Sequence, residues 1–178
     1  KFYWAHQING YHFTCDDDII YPKNYIESTI KKLEKYKGFV SYHGAILIEP
    51  IKSYYDCRKV YHFEKKVLKD QKVHVLGTGV MAYDADEIKL HHRMFKQKNM
   101  ADLYIAIFAK KQKISCTVIS HDAHYLKDMY KGKDQNSIFI KHSKNDKKQT
   151  ILINANAPWK KIFSFSSVTF FYKHKFSL

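Results

Sequence analysis

Three consecutive aspartates, Asp16, Asp17 and Asp18, form the densest chemical signal in the chain, and they follow the alternating run Tyr11-His12-Phe13-Thr14-Cys15. On an extended strand neighbouring side chains point to opposite faces, so Asp16 and Asp18 can converge while Asp17 turns away. Crowded carboxylates repel unless a cation or good donors compensate. Hard oxygen ligands suit Mg²⁺ or Mn²⁺, and such an ion can also hold a diphosphate. The competing reading is a solvated acidic turn whose charge meets the dipole of a following helix. Gly77-Thr78-Gly79 is a second signal, a glycine pair that interrupts an apolar strand where backbone must approach something closely. It lacks the GxxxxGK[ST] spacing of a phosphate-cradling loop, and a bulge or tight turn competes with a binding role. His43 precedes Gly44 inside an apolar stretch, where a satisfied core histidine is the default. Asp102 falls in the first turn of a predicted helix, where an acid already suits the dipole. A catalytic role requires it to face the same cleft as the triplet. His121 and His124 flank Asp122 and form a weaker candidate metal set, with no third ligand identified.

The elements that must position these groups read as follows. Residues 11–15 form a strand, and Pro22 stops the run after the triplet. Asn24 and Glu27 fit a capping box, and Ile26, Ile30 and Leu33 give the following helix an apolar face that ends at Gly38. Residues 39–48 read as a buried strand broken at His43-Gly44, and 49–72 as a loop-rich excursion. Residues 73–76 and 80–83 are strand pieces on either side of the glycine turn. Asn99 caps a second helix with a stripe of Met100, Leu103, Tyr104, Ile107 and Phe108. Residues 114–119 form another strand, 127–149 a polar lysine-rich loop, and 151–153 a last strand-like piece. Strands alternating with helices predict an α/β or mixed sheet in one layered domain.

Length and charge bound the partners. The chain has 178 residues, and its net charge of +14 comes almost wholly from lysine. Only Arg58 and Arg93 are arginines among 31 basic residues, which argues against base-reading nucleic-acid binding, so no nucleic-acid partner is expected. An anionic surface or acidic polymer stays open as a partner. Cys15, Cys57 and Cys116 are widely spaced and include no CxxC pair, so neither a disulfide framework nor a thiolate zinc site is indicated. No apolar run reaches the roughly 20 residues of a membrane-spanning helix, and a cytoplasmic setting is expected.

The run from Gly10 through Tyr11-His12-Phe13-Thr14-Cys15-Asp16-Asp17-Asp18-Ile19-Ile20-Tyr21-Pro22, with Asn24-Tyr25-Ile26, resembles the metal-site segment of bacterial capsule glycosyltransferases. It is most similar to the N-acetylglucosaminyl-transferring domains of heparosan synthases. Further matches follow in order at His43-Gly44, Leu76-Gly77-Thr78-Gly79, Met100-Ala101-Asp102-Leu103-Tyr104, residues 120–126, and Asn156-Ala157-Pro158-Trp159, so that the resemblance covers roughly residues 2–160. It implies a GT-A type fold, a mixed sheet with flanking helices and a DXD-like motif holding Mn²⁺ or Mg²⁺ on the donor diphosphate. Carried over, Asp16 lies near the nucleotide ribose or the metal, Asp18 is the direct ligand, and Asp17 belongs with the donor site. Gly77, Thr78 and Gly79 line the donor and acceptor cleft with His43, and Asp102 matches an acid near the reacting sugar. At His124-Tyr125 the chain departs from the family's Asn-Trp pair, so no family role passes to His124. GT-A enzymes place several nucleotide-binding strands before the triplet, and the resemblance implies that residues 1–160 lack them. Residues 161–178 form an aromatic tail without a match.

The implied activity is transfer of a sugar, N-acetylglucosamine by the resemblance, from a UDP-sugar to a capsule or surface polysaccharide, with peripheral association at the inner membrane face or with a capsule-synthesis complex. The rival is a truncated, non-catalytic glycan- or polyanion-binding module derived from such an enzyme. A metal-dependent nuclease is disfavoured, because no basic helix or further clustered carboxylates accompany the triplet.

Overall fold

The computed structural model describes residues 1–130 and 145–162, and the aromatic tail from residue 163 onward and the centre of the lysine-rich stretch lie outside the described residues. Strands β1 (Tyr11–Cys15), β2 (Ile19–Ile20), β3 (Phe39–Ser41), β4 (Gly44–Leu47), β5 (Arg58–Tyr61), β6 (Gln71–Lys72), β7 (Val75–Leu76), β8 (Val80–Asp84), β9 (Cys116–Val118) and β10 (Lys127–Asp128) combine with helices α1 (Tyr25–Tyr36), α2 (Ala101–Gln112) and α3 (Lys147–Asn154). The principal sheet has the order β1-β8-β3-β9-β6. It is mixed: β3 and β9 run parallel, while the β1–β8, β8–β3 and β9–β6 pairs are antiparallel. A second antiparallel sheet has the order β5-β4-β7, and β2 pairs with β10 as a short ribbon.

Strand alternation decides which side chain meets which helix. Val40, Val80 and Ala82 pack with Tyr25, Leu33 and Tyr42 on the α1 face. Phe39, Met81 and Tyr83 pack with Ile105 and Ala109 of α2 on the other. The architecture is therefore mixed α/β, with the sheet covered on both faces, as the alternation of elements in the sequence predicts. A third cluster joins Leu47, Ile51, Tyr54, Leu103, Ile107, Ile153 and Trp159 between α2, α3 and the second sheet.

Several local expectations are corrected. Helix α1 buries Tyr25, Thr29 and Leu33, while Ile26 is 58% exposed. Thr29 hydroxyl reaches both the Tyr25 carbonyl at 2.6 Å and the Tyr42 hydroxyl at 3.0 Å, so a polar pair in the core fixes the helix rotation. Asn24 makes no side-chain cap bond, and the helix closes at Lys37 in the left-handed region, one residue before Gly38. Asn99 has φ of 59°, and Met100 stands at the start of α2, so Asn99 does not cap it. Helix α2 is buried nearly all round, because it lies between two clusters and has no single stripe to offer. The 49–72 excursion contains β5 and β6. Residues 151–153 lie within α3, and the expected 127–149 loop holds β10 at its start. The break at His43-Gly44 is where the chain passes from the principal sheet to the second one.

Candidate functional site

Strand β1 ends at Cys15, so the triplet lies in the turn that leads to β2 rather than on an extended strand. What holds it is the glycine turn between β7 and β8. The Asp16 amide donates to the Gly79 carbonyl at 3.2 Å, and the Tyr21 hydroxyl donates to the same carbonyl at 2.6 Å while accepting the Asp16 amide at 2.8 Å. A Cβ on Gly79 would lie 2.0 Å from Oδ2 of Asp16, so the carboxylate occupies the space that any side chain there would need. Gly77 makes the matching approach on the other side: a Cβ there would meet the His43 ring at 2.9 Å, and its amide donates to the His43 carbonyl at 2.9 Å. Ser41 donates through its hydroxyl to the Gly77 carbonyl at 3.0 Å and accepts the His43 amide at 3.1 Å. Asp16, Gly79, Gly77 and His43 thus form one packed unit, with Thr78 half-buried at its tip.

Within the triplet, Asp18 is the carboxylate most exposed to its acidic neighbours. Burial, then Asp16, Asp128 and Asp17, push the Asp18 carboxyl above its ordinary value against the pull of a backbone hydrogen bond. Asp16 acts on Asp18 more strongly than Asp17 does, although the turn, not strand alternation, sets that order. Asp16 pairs with Lys1 through Oδ1, whereas Asp18 forms no ion pair among the described residues. Asp128 enters because β10 pairs with β2, setting Asp128 opposite Ile19, and the Met129 amide donates to the Asp18 carbonyl at 2.9 Å. Nothing local in the sequence marks Asp128; only the register of the ribbon brings it here.

His43 is a neutral imidazole. Burial first, then His62, Arg58 and His121, lower its pKa to about 3. Its Nδ1 is buried with no hydrogen-bond partner among the described residues, and its ring meets His62 edge-on at 5.0 Å. Arg58 lies in electrostatic reach of both His43 and Asp102, and its guanidinium stacks over Tyr54 and Tyr55 at 4.7 and 4.5 Å. Asp102 accepts from the Tyr54 hydroxyl at 3.3 Å. Burial raises the Asp102 pKa, opposed by the Leu103 amide, Tyr54 and Arg58. Asp146 fixes the tyrosine corner from below, accepting from the Ser53 hydroxyl at 2.7 Å and the Tyr55 amide at 2.9 Å. Arg58 and Tyr54 lie in the expected loop excursion and escaped notice there. The available signal was one of two arginines among 29 lysines, set three and four residues after a tyrosine pair.

The histidine set at the end of β9 does not assemble. His121 is buried against Tyr42 at 5.4 Å between ring centroids, with its Nδ1 on the Ile119 carbonyl at 2.7 Å. His124 is exposed at φ of 60°, and Asp122 pairs with Lys66 at 3.2 Å. Among the described residues, His121, Asp122 and His124 do not bring three ligand atoms within 4.8 Å of one another; His6, His91 and His92 do. No described helix is long and apolar enough to cross a membrane. The chain matches no model of a known protein family, and no curated protein matches it in sequence.

Proposed function

We propose that the chain carries the catalytic residues of a GT-A type glycosyltransferase that moves a sugar from a UDP-sugar to a polysaccharide acceptor, N-acetylglucosamine being the donor sugar on the resemblance. The observation that carries this reading is the fit of the Asp16 carboxylate into the space left by Gly79, with His43 in the matching space at Gly77. Three separated blocks of the resemblance thereby meet in one unit. The donor set also suits a hard divalent cation. Asp18 forms no ion pair among the described residues, and burial together with three neighbouring acids favours its protonation, so a cation there removes repulsion. One or two carboxylates completed by phosphate oxygens and water are the usual protein share of a Mg²⁺ site.

Asp16 and Asp18 would hold the ion, which supplies charge neutralisation on the departing UDP. The Gly77–Gly79 turn, without side chains at its ends, lets the Asp16 carboxylate and the His43 ring close on it from either side. His43 is uncharged at neutral pH, so it shapes the turn without competing for anionic donor groups. Asp102 has a raised pKa in the first turn of α2, which suits a carboxylate that holds an acceptor hydroxyl and takes its proton. Arg58 and Tyr54 set its orientation. The polysaccharide acceptor, the capsule-synthesis partner and the inner-membrane location follow from the same resemblance, and the lysine-rich surface suits an acidic polymer.

The Lys1–Asp16 pair favours one second reading, a non-catalytic glycan- or polyanion-binding module in which lysine replaces the ion. Incubation with UDP-N-acetylglucosamine, Mn²⁺ and a uronic-acid-containing oligosaccharide separates the two. Sugar transfer that stops on chelation supports the enzyme; oligosaccharide binding without UDP-N-acetylglucosamine turnover supports the module.

A further inference from the structure

We propose that His6, His91 and His92 form a binding site for a divalent transition metal of the Zn²⁺ class, separate from the acidic turn. The three imidazoles come from segments some 85 positions apart in sequence, yet each offers a ligand nitrogen, and these nitrogens all lie within 4.8 Å of one another. The ring centroids of His6–His91 and His91–His92 are 4.6 Å apart, and those of His6–His92 5.8 Å. All three residues are half-buried. Among the described residues, Nδ1 of His6 and Nδ1 of His92 are buried without a hydrogen-bond partner. Two polar atoms withdrawn from water and left unpaired cost stability, and a metal would satisfy both.

The footing of the site is packed. Phe2 and Ala5 are buried, Phe2 stacks on Phe95 at 4.7 Å, and Tyr3 stacks on His92 at 5.2 Å. The residue 1–7 segment and the short 3-10 turn His92–Met94 are therefore held together before any ion arrives. Imidazole nitrogen selects Zn²⁺, Co²⁺, Ni²⁺ or Cu²⁺ over Mg²⁺ and Ca²⁺, and no carboxylate belongs to the group. Three protein ligands leave the fourth tetrahedral position to water. Tetrahedral Zn–N bonds near 2.0–2.1 Å put ligand nitrogens about 3.3 Å apart, so the rings turn inward on loading. The Nδ1 of His91 accepts the Arg93 amide at 3.1 Å, which orients the ring and leaves Nε2 as its nitrogen for the ion. Loading would clasp the residue 1–7 segment to the turn that precedes α2, and binding free energy would appear as stability.

The test is calorimetric titration of the untagged full chain with Zn²⁺ and, separately, Mg²⁺. One Zn²⁺ per chain in the micromolar range or tighter is expected, with no competition from Mg²⁺. His6→Ala, His91→Ala and His92→Ala should each weaken Zn²⁺ by roughly tenfold or more. His124→Asn should bind as the parent does. Zn²⁺ should raise the Tm of the parent and not that of His6→Ala. Co²⁺ titration of the parent gives a readout independent of variant folding: intense visible bands of a four-coordinate ion, bleached by Zn²⁺, support the site. Weak six-coordinate bands, or Zn²⁺ binding no tighter in the parent than in the His6→Ala/His92→Ala double variant, would overturn it.

Discussion

Asp102 separates structural from chemical roles at the scale of one residue. Its carboxylate lies in the first turn of α2 and accepts from Tyr54, and an Asn side chain keeps an acceptor oxygen there. A purely structural Asp102 predicts that Asp102→Asn costs about 1 kcal/mol of stability and leaves turnover intact. The acceptor-side role predicts unchanged Mn²⁺ and UDP affinity with turnover reduced roughly a hundredfold or more. Steady-state kinetics with UDP titration distinguishes the two, and parental turnover in the variant would refute the catalytic assignment. The residue also shows where sequence reading stops. The acid at the start of a helix is legible from its position, but Tyr54 reaches it by tertiary contact from a segment with no periodicity, with Arg58 stacked behind that tyrosine.

At the scale of elements, Asp70 is the anchor that locks α1 to the far edge of the principal sheet. It accepts from Lys32 Nζ at 2.8 and 3.0 Å, from the Tyr36 hydroxyl at 2.5 Å and from the Ser120 amide at 2.6 Å. Burial alone would raise its pKa, but these donors outweigh burial and hold the carboxyl well below the usual range. A depressed folded value means that the contribution is complete above the unfolded value of about 3.9 and is lost as pH falls through the lower folded one. Asp70→Asn is expected to cost about 2 kcal/mol at pH 7 and progressively less below pH 4, read by urea unfolding. An equal cost at pH 7 and pH 3 would contradict the charge assignment. Element types were readable where a period was strong, as in β1 and α1, and α2 was legible from the length of its apolar run and the glycine turn from its interruption of β7 and β8. The buried face of α1 was not, because Ile26 and Ile30 outrank Tyr25 and Thr29 in hydropathy while the Thr29–Tyr42 hydroxyl pair decides the rotation. Helix α3 was misread for a related reason: a short apolar run, Ile151-Leu152-Ile153, has no period of its own.

Across the whole molecule, histidines withdrawn from water make stability depend on pH above the carboxylate range. Burial is the largest cause lowering His43, to about 3, and also lowers His62, His74 and His12. Each binds a proton less readily in the fold than in the unfolded chain, which takes one up below about 6.5, so stability is complete above that value and falls with pH beneath it. The unfolding free energy should therefore rise between pH 5 and pH 6.5, by about 1.4 kcal/mol per unit for each proton fully taken up on unfolding. A flat profile across that window would show these rings to be solvated.

The molecule's central feature is the meeting of the acidic turn with the glycine turn at one end of the sheet, and coupled binding tests its purpose most directly. If Asp16 and Asp18 share a divalent ion with a diphosphate, Mn²⁺ must raise UDP affinity and UDP must raise Mn²⁺ affinity by the same factor. Titrating UDP with and without Mn²⁺ into the parent and Asp18→Ala measures that factor in both. Coupling of roughly tenfold or more in the parent, absent from Asp18→Ala and only reduced in Asp17→Ala, is the predicted result. Equal coupling in the parent and Asp18→Ala, or no UDP binding by the parent, would contradict the metal-dependent transferase reading.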